Sequence, residues 1–132
     1  MPRKSTSETN ELLTNWEQVY KKGLLTFWIL LLLHQRPSYA YEMCGPITEL
    51  SQRTVSADEN SIYRALNRFE AIGIVTSELR LSNLGPQRRY YSLTENGALL
   101  LTQFIRRNIL VFQSPPVAER IRAVLGTTDS PA

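Results

Sequence analysis

NSIYRALNRFEAIGIVTSELRLSNLGPQRRYYSL, residues 60–93, decides the reading of this chain. Its first half has the period of an amphipathic helix. Ile62, Ala65, Leu66, Phe69 and Ile72 fall on one face at spacings of three and four, and Gly73 offers a stop. The pattern then shortens to strand-like alternation, over Ile74 to Leu81 and again over Arg88 to Leu93. Asn83-Leu84-Gly85-Pro86 forms the turn between them. This order predicts a reading helix over 58–72 and a wing over 80–89, the two working parts of a winged helix-turn-helix. A two-stranded hairpin does not persist alone, so the wing must pack on helices.

Upstream, the spacing predicts a helix from about Asn10 to Gly23, with Leu12, Trp16 and Val19 on one stripe and Leu13 and Tyr20 beside it. Thr9 or Asn10 is its cap, and Gly23 its stop. Leu24 to Gln35 is apolar nearly all round and needs cover on several sides. Tyr39 to about Ser51 is a further helix, with a kink or break expected at Gly45-Pro46. Ser56 is expected to cap the reading helix, with Glu59 as its capping-box partner. Thr94 is expected to cap a long helix that ends before Pro115-Pro116, and Val117 to Leu125 a short last one. The domain plan is therefore a flexible start over 1–8, a winged helix-turn-helix domain over 9–97, a dimerisation region over 98–125 and a loose tail over 126–132. The fold class is mainly α with a small β-hairpin, plus N- and C-terminal dimerisation helices.

The chain has 132 residues, 42% hydrophobic and 20% charged, enough for one compact domain. Its net charge of +3 is mild, but the charge is unevenly placed. Leu79 to Thr94 contains Arg80, Arg88 and Arg89 and no acid. The start MPRKSTSETNE has no apolar core of the kind a secretory signal needs. The apolar run Leu24–Leu33 falls well short of the roughly 20 residues of a membrane span. No membrane association is expected, and the location expected is cytoplasmic. Gly-rich phosphate loops, nucleophile elbows and metal-ligand clusters are absent from the sequence, so neither catalysis nor a cofactor is expected. His34 is the only histidine and Cys44 the only cysteine. Each is expected to be structural, with no metal bound; a redox role for Cys44 would need a lowered pKa.

On a wheel of about 100° per residue, Asn60, Tyr63, Arg64, Asn67 and Ala71 point away from the apolar face of the reading helix, with Arg68 at its boundary. The second helix of such a motif enters the major groove by its N-terminal part. Asn60, Arg64 and Asn67 are thus placed to reach base edges, where arginine pairs with guanine and asparagine with adenine. Ser61 and the free N–H groups at the helix start suit a phosphate. Arg80, Gln87, Arg88 and Arg89 flank the wing turn and would hold the backbone or dip into the minor groove, giving affinity rather than sequence choice. The bland alternative is a solvated helix face and a charged edge that blocks aggregation. A rival of another class is a winged-helix protein–protein interaction module without physiological DNA binding, although Asn, Arg and Tyr are not an apolar anchor cluster.

SYAYEMCGPITEL, NSIYRALNRFEAIGIV and GPQRRYYSLTENG together resemble the PadR-like transcriptional regulators. The matching residues are Tyr41-Glu42; Ile62, Tyr63, Leu66, Arg68, Glu70 and Gly73; and Arg89, Tyr91, Leu93, Thr94 and Gly97. Ala40 departs from the pattern, since many members have glycine there. The resemblance covers about Gly23 to Gly97. It implies a homodimer that binds operator DNA, usually as a repressor, and it adds Tyr41 to the DNA-contacting set. The short C-terminal region resembles the subgroup with one long dimerisation helix. Effectors in the family, small molecules or proteins, vary too widely for the resemblance to name one.

Apolar residues beyond what one domain can bury also point to a dimer. Leu12, Leu13, Trp16 and Tyr20 near the N-terminus, and Leu101, Phe104, Ile105 and Phe112 near the C-terminus, are the candidate dimerisation residues, with Leu100 and Leu110 beside them. A two-fold dimer would set two reading helices about 34–36 Å apart and favour a palindromic operator in double-stranded DNA. Trp16, Tyr20, Phe27 and Trp28 would then either line an aromatic effector pocket or pack as core.

Overall fold

A computed structural model describes residues 2–82 and 85–128. Its elements are α1 (Pro2–Gln35), α2 (Ala40–Leu50), α3 (Glu59–Ala71), β1 (Val75–Ser82), β2 (Gly85–Leu93), α4 (Glu95–Phe104) and α5 (Pro115–Thr128). The chain divides into a unit ending at Ala98 and a second from Leu99 onward.

The core of the first unit is one layer of helices under a hairpin. Ile29, Leu30 and Leu33 of α1, Met43 and Ile47 of α2, Ile62, Leu66 and Phe69 of α3, and Val75 and Tyr91 of the hairpin are buried. The apolar stretch before Gln35 is covered as its sequence requires, whereas Leu12, Leu13, Trp16, Val19 and Tyr20 are each more than half exposed.

One expectation at the start of the chain fails. Instead of stopping at Gly23, the helix runs unbroken from Pro2 to Gln35 and includes the residues expected to be a loose start. A glycine ends a helix by turning left-handed. Gly23 does not, since Gly73 is the only glycine with positive φ among the described residues. Lys21, Lys22, Leu24 and Leu25 around it are good helix formers and outweigh its cost, and Lys21 pairs with Glu17 one turn back at 3.7 Å.

Pro46 likewise leaves α2 continuous from Ala40 to Leu50. The connection after it is closed by Ser51, whose buried hydroxyl donates to the Thr48 and Val55 carbonyls at 3.3 and 3.1 Å and accepts from Val55 N–H at 3.0 Å. Gln52 and Arg53 turn left-handed there, with φ of 54° and 67°.

Helix α3 begins at Asp58, not at Ser56. The Asp58 carboxylate accepts from Ser61 N–H at 2.7 Å. At the other end Gly73, with φ of 83°, donates to the Glu70 carbonyl and Ile74 to that of Phe69, a Schellman closure. Ile72 lies past the last helical residue and is 70% exposed, so it leaves the apolar face assigned to it.

The strands pair antiparallel from Val75 opposite Leu93 to Arg80 opposite Arg88, with an irregularity between Arg80 and Ser82. Of the expected turn, Asn83 and Leu84 lie outside the described residues. Ser38 adds a third, one-residue strand by exchanging two hydrogen bonds with Tyr91, at 3.1 and 2.9 Å. Thr94 caps α4 as expected. Its hydroxyl accepts from Gly97 N–H at 3.1 Å and donates to the Gly73 carbonyl at 2.7 Å.

In the C-terminal unit the single long helix is replaced by three pieces. After α4 the backbone widens into a π-type turn at Ile105–Ile109 and tightens into a 3₁₀ turn at Leu110–Gln113. Asn108 Nδ2 donates to the Phe104 carbonyl at 3.2 Å, a side-chain competitor for helical bonds. Pro115 opens α5 where its missing N–H costs nothing, so the short last helix is longer than expected and takes in Gly126–Thr128. Residues 129–132 of the expected tail lie outside the described residues.

Candidate nucleic-acid interface

The outward side of α3 carries the residues its wheel predicts. Asn60, Tyr63, Arg64, Asn67 and Arg68 are exposed, and Ser61 is half-buried. Burial of Ile62, Ala65, Leu66 and Phe69 on the opposite side fixes this orientation. Asn67 is held from below, because the buried Tyr91 hydroxyl donates to its Oδ1 at 3.4 Å. Burial, ahead of repulsion from Tyr63 and Glu70, pushes the Tyr91 hydroxyl above its ordinary pKa, so it stays a donor at neutral pH.

The phosphate seat expected at the start of α3 has an acidic surround. Ser61 N–H is already taken by Asp58, and Asp58 and Glu59 make that end acidic. The hydrogen bonds from Ser61, with the positive Arg64 as a lesser cause, hold the Asp58 carboxyl below its ordinary pKa, so it keeps its charge.

Strand alternation sorts the wing arginines onto opposite faces. Arg89 lies on the side of α3, where its Nη1 donates to Ser77 Oγ at 3.1 Å and Ser77 in turn donates to Glu70 Oε2 at 2.7 Å. This relay ties β1 and β2 to the reading helix. Arg80 and Arg88 lie on the other side. Arg80 stacks 4.3 Å from the Tyr90 ring centre while its Nε donates to Glu78 at 3.0 Å. Arg88 stacks 4.9 Å from the Tyr39 ring, and the Tyr39 and Tyr90 rings meet edge to face at 5.3 Å. Glu78 offsets the charge of Arg80, whereas neither Arg88 nor Arg89 has an ion pair among the described residues; Arg89 donates to the neutral Ser77 hydroxyl and Arg88 stacks on Tyr39.

Tyr41, Tyr63, Gln87, Arg88 and Arg89 are brought together around one cleft of about 160 Å³, floored by Tyr39, Ala40 and Tyr91, with Glu59 on its rim. Residues far apart in sequence thus converge where α2, α3 and β2 meet. The sequence reading missed Tyr39, Tyr90, Ser77 and Glu70. The period-two alternation of GPQRRYYSL held the signal, since it sets Arg88 with Tyr90 and Arg89 with Tyr91.

Two further residues singled out by type are Cys44 and His34. Cys44 sits half-buried in α2, and burial, ahead of Glu59 and Asp58, pushes its thiol pKa up, which disfavours the thiolate a redox sensor needs. His34 is exposed in the last turn of α1. Among the described residues no group of acids, histidines and cysteines is placed to hold a metal, and no helix is long and apolar enough to cross a membrane.

Two helices joined through residues 51–58, with a hairpin seated beside the second, define a winged helix-turn-helix protein. The model of the transcriptional regulator PadR-like family matches residues 29–103, and the chain belongs to that family. A PadR-like transcriptional regulator from Bacillus cereus is 30% identical, over 76% of this chain and 93% of its own, with a TM-score of 0.61. A transcriptional regulator from Clostridium thermocellum is 26% identical over 70% and 89%, at 0.60. Bacillus subtilis PadR, solved in complex with operator DNA, shares the fold at 23% identity over 62% and 46%, at 0.57. No curated protein matches the chain. The family is one of transcriptional regulators and not of enzymes.

Proposed function

We propose that the chain is a homodimeric, sequence-specific DNA-binding regulator that acts in the cytoplasm as a repressor. The observation that carries this reading is the exposed Asn60–Arg64–Asn67 face of α3 beside a wing that offers Arg88 and Arg89. Residues 9–97 supply the DNA-binding domain. In each half of a palindromic operator, α3 enters the major groove while Tyr41, Gln87, Arg88 and Arg89 hold flanking backbone. Arg68 and Tyr63 flank the base-reading residues. Arg80, shared with Glu78, contributes less. Residues 98–125 and the exposed half of α1 form the dimer contacts, through Leu12, Leu13, Trp16, Tyr20, Phe104, Ile105 and Phe112. Leu101 drops out of that set because it is only 4% exposed within the single chain.

The test is a gel shift with the DNA upstream of the gene, against random-sequence DNA. Arg64→Ala is expected to weaken binding to the specific site by about 1–3 kcal/mol and to spare random DNA. Arg88→Ala is expected to weaken both and to lower the salt slope by about 1. Equal losses on both DNAs for both variants would remove Arg64 as a base reader. Failure of the wild-type chain to retain any duplex would favour the protein-docking module.

A further inference from the structure

We infer that Tyr39, outside the helices and absent from any DNA-reading role, is the positioning residue of the wing. It stacks under Arg88 and braces Tyr90, and so fixes the direction in which the hairpin presents its cations. The inference rests on the DNA-binding reading above.

The position of the Tyr39 ring is fixed from both sides. Its neighbour Ser38 is locked to Tyr91 of β2 by two backbone hydrogen bonds. Its own N–H donates to Glu42 Oε1 at 3.2 Å, and Glu42 is paired with Arg36 at 3.5 Å. Alternation along β2 brings Arg88 and Tyr90 to the face where this ring stands. A planar guanidinium lies over it, and Arg88 is half-buried despite having no acid partner among the described residues. An unstacked arginine would have to be ordered at the moment of binding, and that ordering weakens association. Stacking completes it beforehand. Lysine cannot replace arginine here, because a compact ammonium does not stack flat.

The experiment uses the full chain, a labelled random-sequence duplex and anisotropy titrations across a salt series. Tyr39→Leu is expected to weaken binding about three-fold with the salt slope unchanged, since the cation remains but is no longer ordered. A wing that had simply come apart would lower the slope instead. Tyr39→Phe should bind like the wild type, and Arg88→Lys should lose about three-fold with its charge intact. Tyr39→Leu combined with Arg88→Ala should be no weaker than Arg88→Ala alone. In the DNA-free protein, the Arg88 δ-methylene protons should show an upfield ring-current shift that Tyr39→Leu abolishes and Tyr39→Phe keeps.

Wild-type affinity in Tyr39→Leu and Arg88→Lys, additive losses in the double variant, or no ring-current shift would each overturn the role of Tyr39 while leaving DNA binding intact. A wild-type chain that bound no duplex would overturn both. Should Tyr39→Leu not fold, Arg88→Lys and the ring-current shift decide the question alone.

Discussion

Tyr91, fully buried in β2, donates its hydroxyl to Oδ1 of Asn67 on the exposed side of α3, so the hairpin grips a residue of the reading face from beneath. At 3.4 Å the bond is long and its acceptor can turn to water. Tyr91→Phe should therefore cost about 0.5–1 kcal/mol in urea unfolding, the low end for a neutral hydrogen bond. The pH dependence has a definite sign. Burial raises the folded pKa of Tyr91 above its unfolded value near 10. Its contribution is complete below about pH 10 and is lost as pH rises through the folded pKa. Unfolding followed from about pH 8 to 11 should show a shallower alkaline decline for Tyr91→Phe than for the wild type. Parallel curves would mean the phenol does not sense the fold.

Gly97 is required by closeness, not by backbone conformation. A Cβ there would strike the Ile74 carbonyl and come within 2.7 Å of Leu93 Cδ1. The crowding follows from the start of α4, where Thr94 N–H donates to that same carbonyl at 3.1 Å. The carbonyl is backbone and cannot rotate aside. Gly97→Ala is expected to destabilise by about 2 kcal/mol, read from thermal or urea unfolding.

Gly23 makes the opposite case. It is exposed in mid-helix, and a Cβ added there meets nothing within 4 Å. Because α1 is continuous, Gly23→Ala should stabilise by about 0.5–1 kcal/mol and raise the helical signal. A chain that broke at Gly23 through a left-handed turn would be destabilised by the same change.

The wing and reading helix were legible in the sequence because each repeats its own period over several residues. Ile62, Leu66 and Phe69 mark the buried side of α3 without ambiguity, and the Arg64 side follows by geometry. What escaped depended on single contacts. Whether Gly23 stops a helix depends on its φ, which composition does not reveal. Ser56 and Asp58 are both good caps, and only the bond to Ser61 N–H decides between them. Tyr39 stands beyond the end of α1, and nothing local says that Ser38 will pair with Tyr91, fifty-three positions away. Period two in β2 does say that Arg88 and Arg89 face opposite ways, a distinction that net charge alone does not carry.

The choice of cap has its own consequence. Asp58→Ala should lower the melting temperature more than Ser56→Ala, since Asp58 makes the bond to Ser61 N–H. Hydrogen bonding from Ser61, then the charge of Arg64, lowers the folded pKa of Asp58. Its stabilisation is present above the unfolded carboxylate pKa and disappears as pH falls through the lower folded value. Melting curves taken down through the acid range should converge for wild type and Asp58→Ala. A gap that persisted in full at the lowest pH would rule out a charged cap.

The proposed dimer makes the sharpest demand on α1. Leu12 and Trp16 lie one turn apart and are 65% and 69% exposed in the single chain. Charging them should leave the first unit folded, because nothing in its core depends on them. Leu12→Glu with Trp16→Glu is expected to sediment as a monomer with unchanged helical content. It should also bind a palindromic site about a hundred-fold more weakly, since one reading helix no longer brings the second with it. Leu101→Glu serves as the contrast, because it puts a charge at a position only 4% exposed and should unfold the chain rather than split it. A double variant that remained dimeric and bound DNA normally would place the interface elsewhere and leave the apolar face of α1 without a partner.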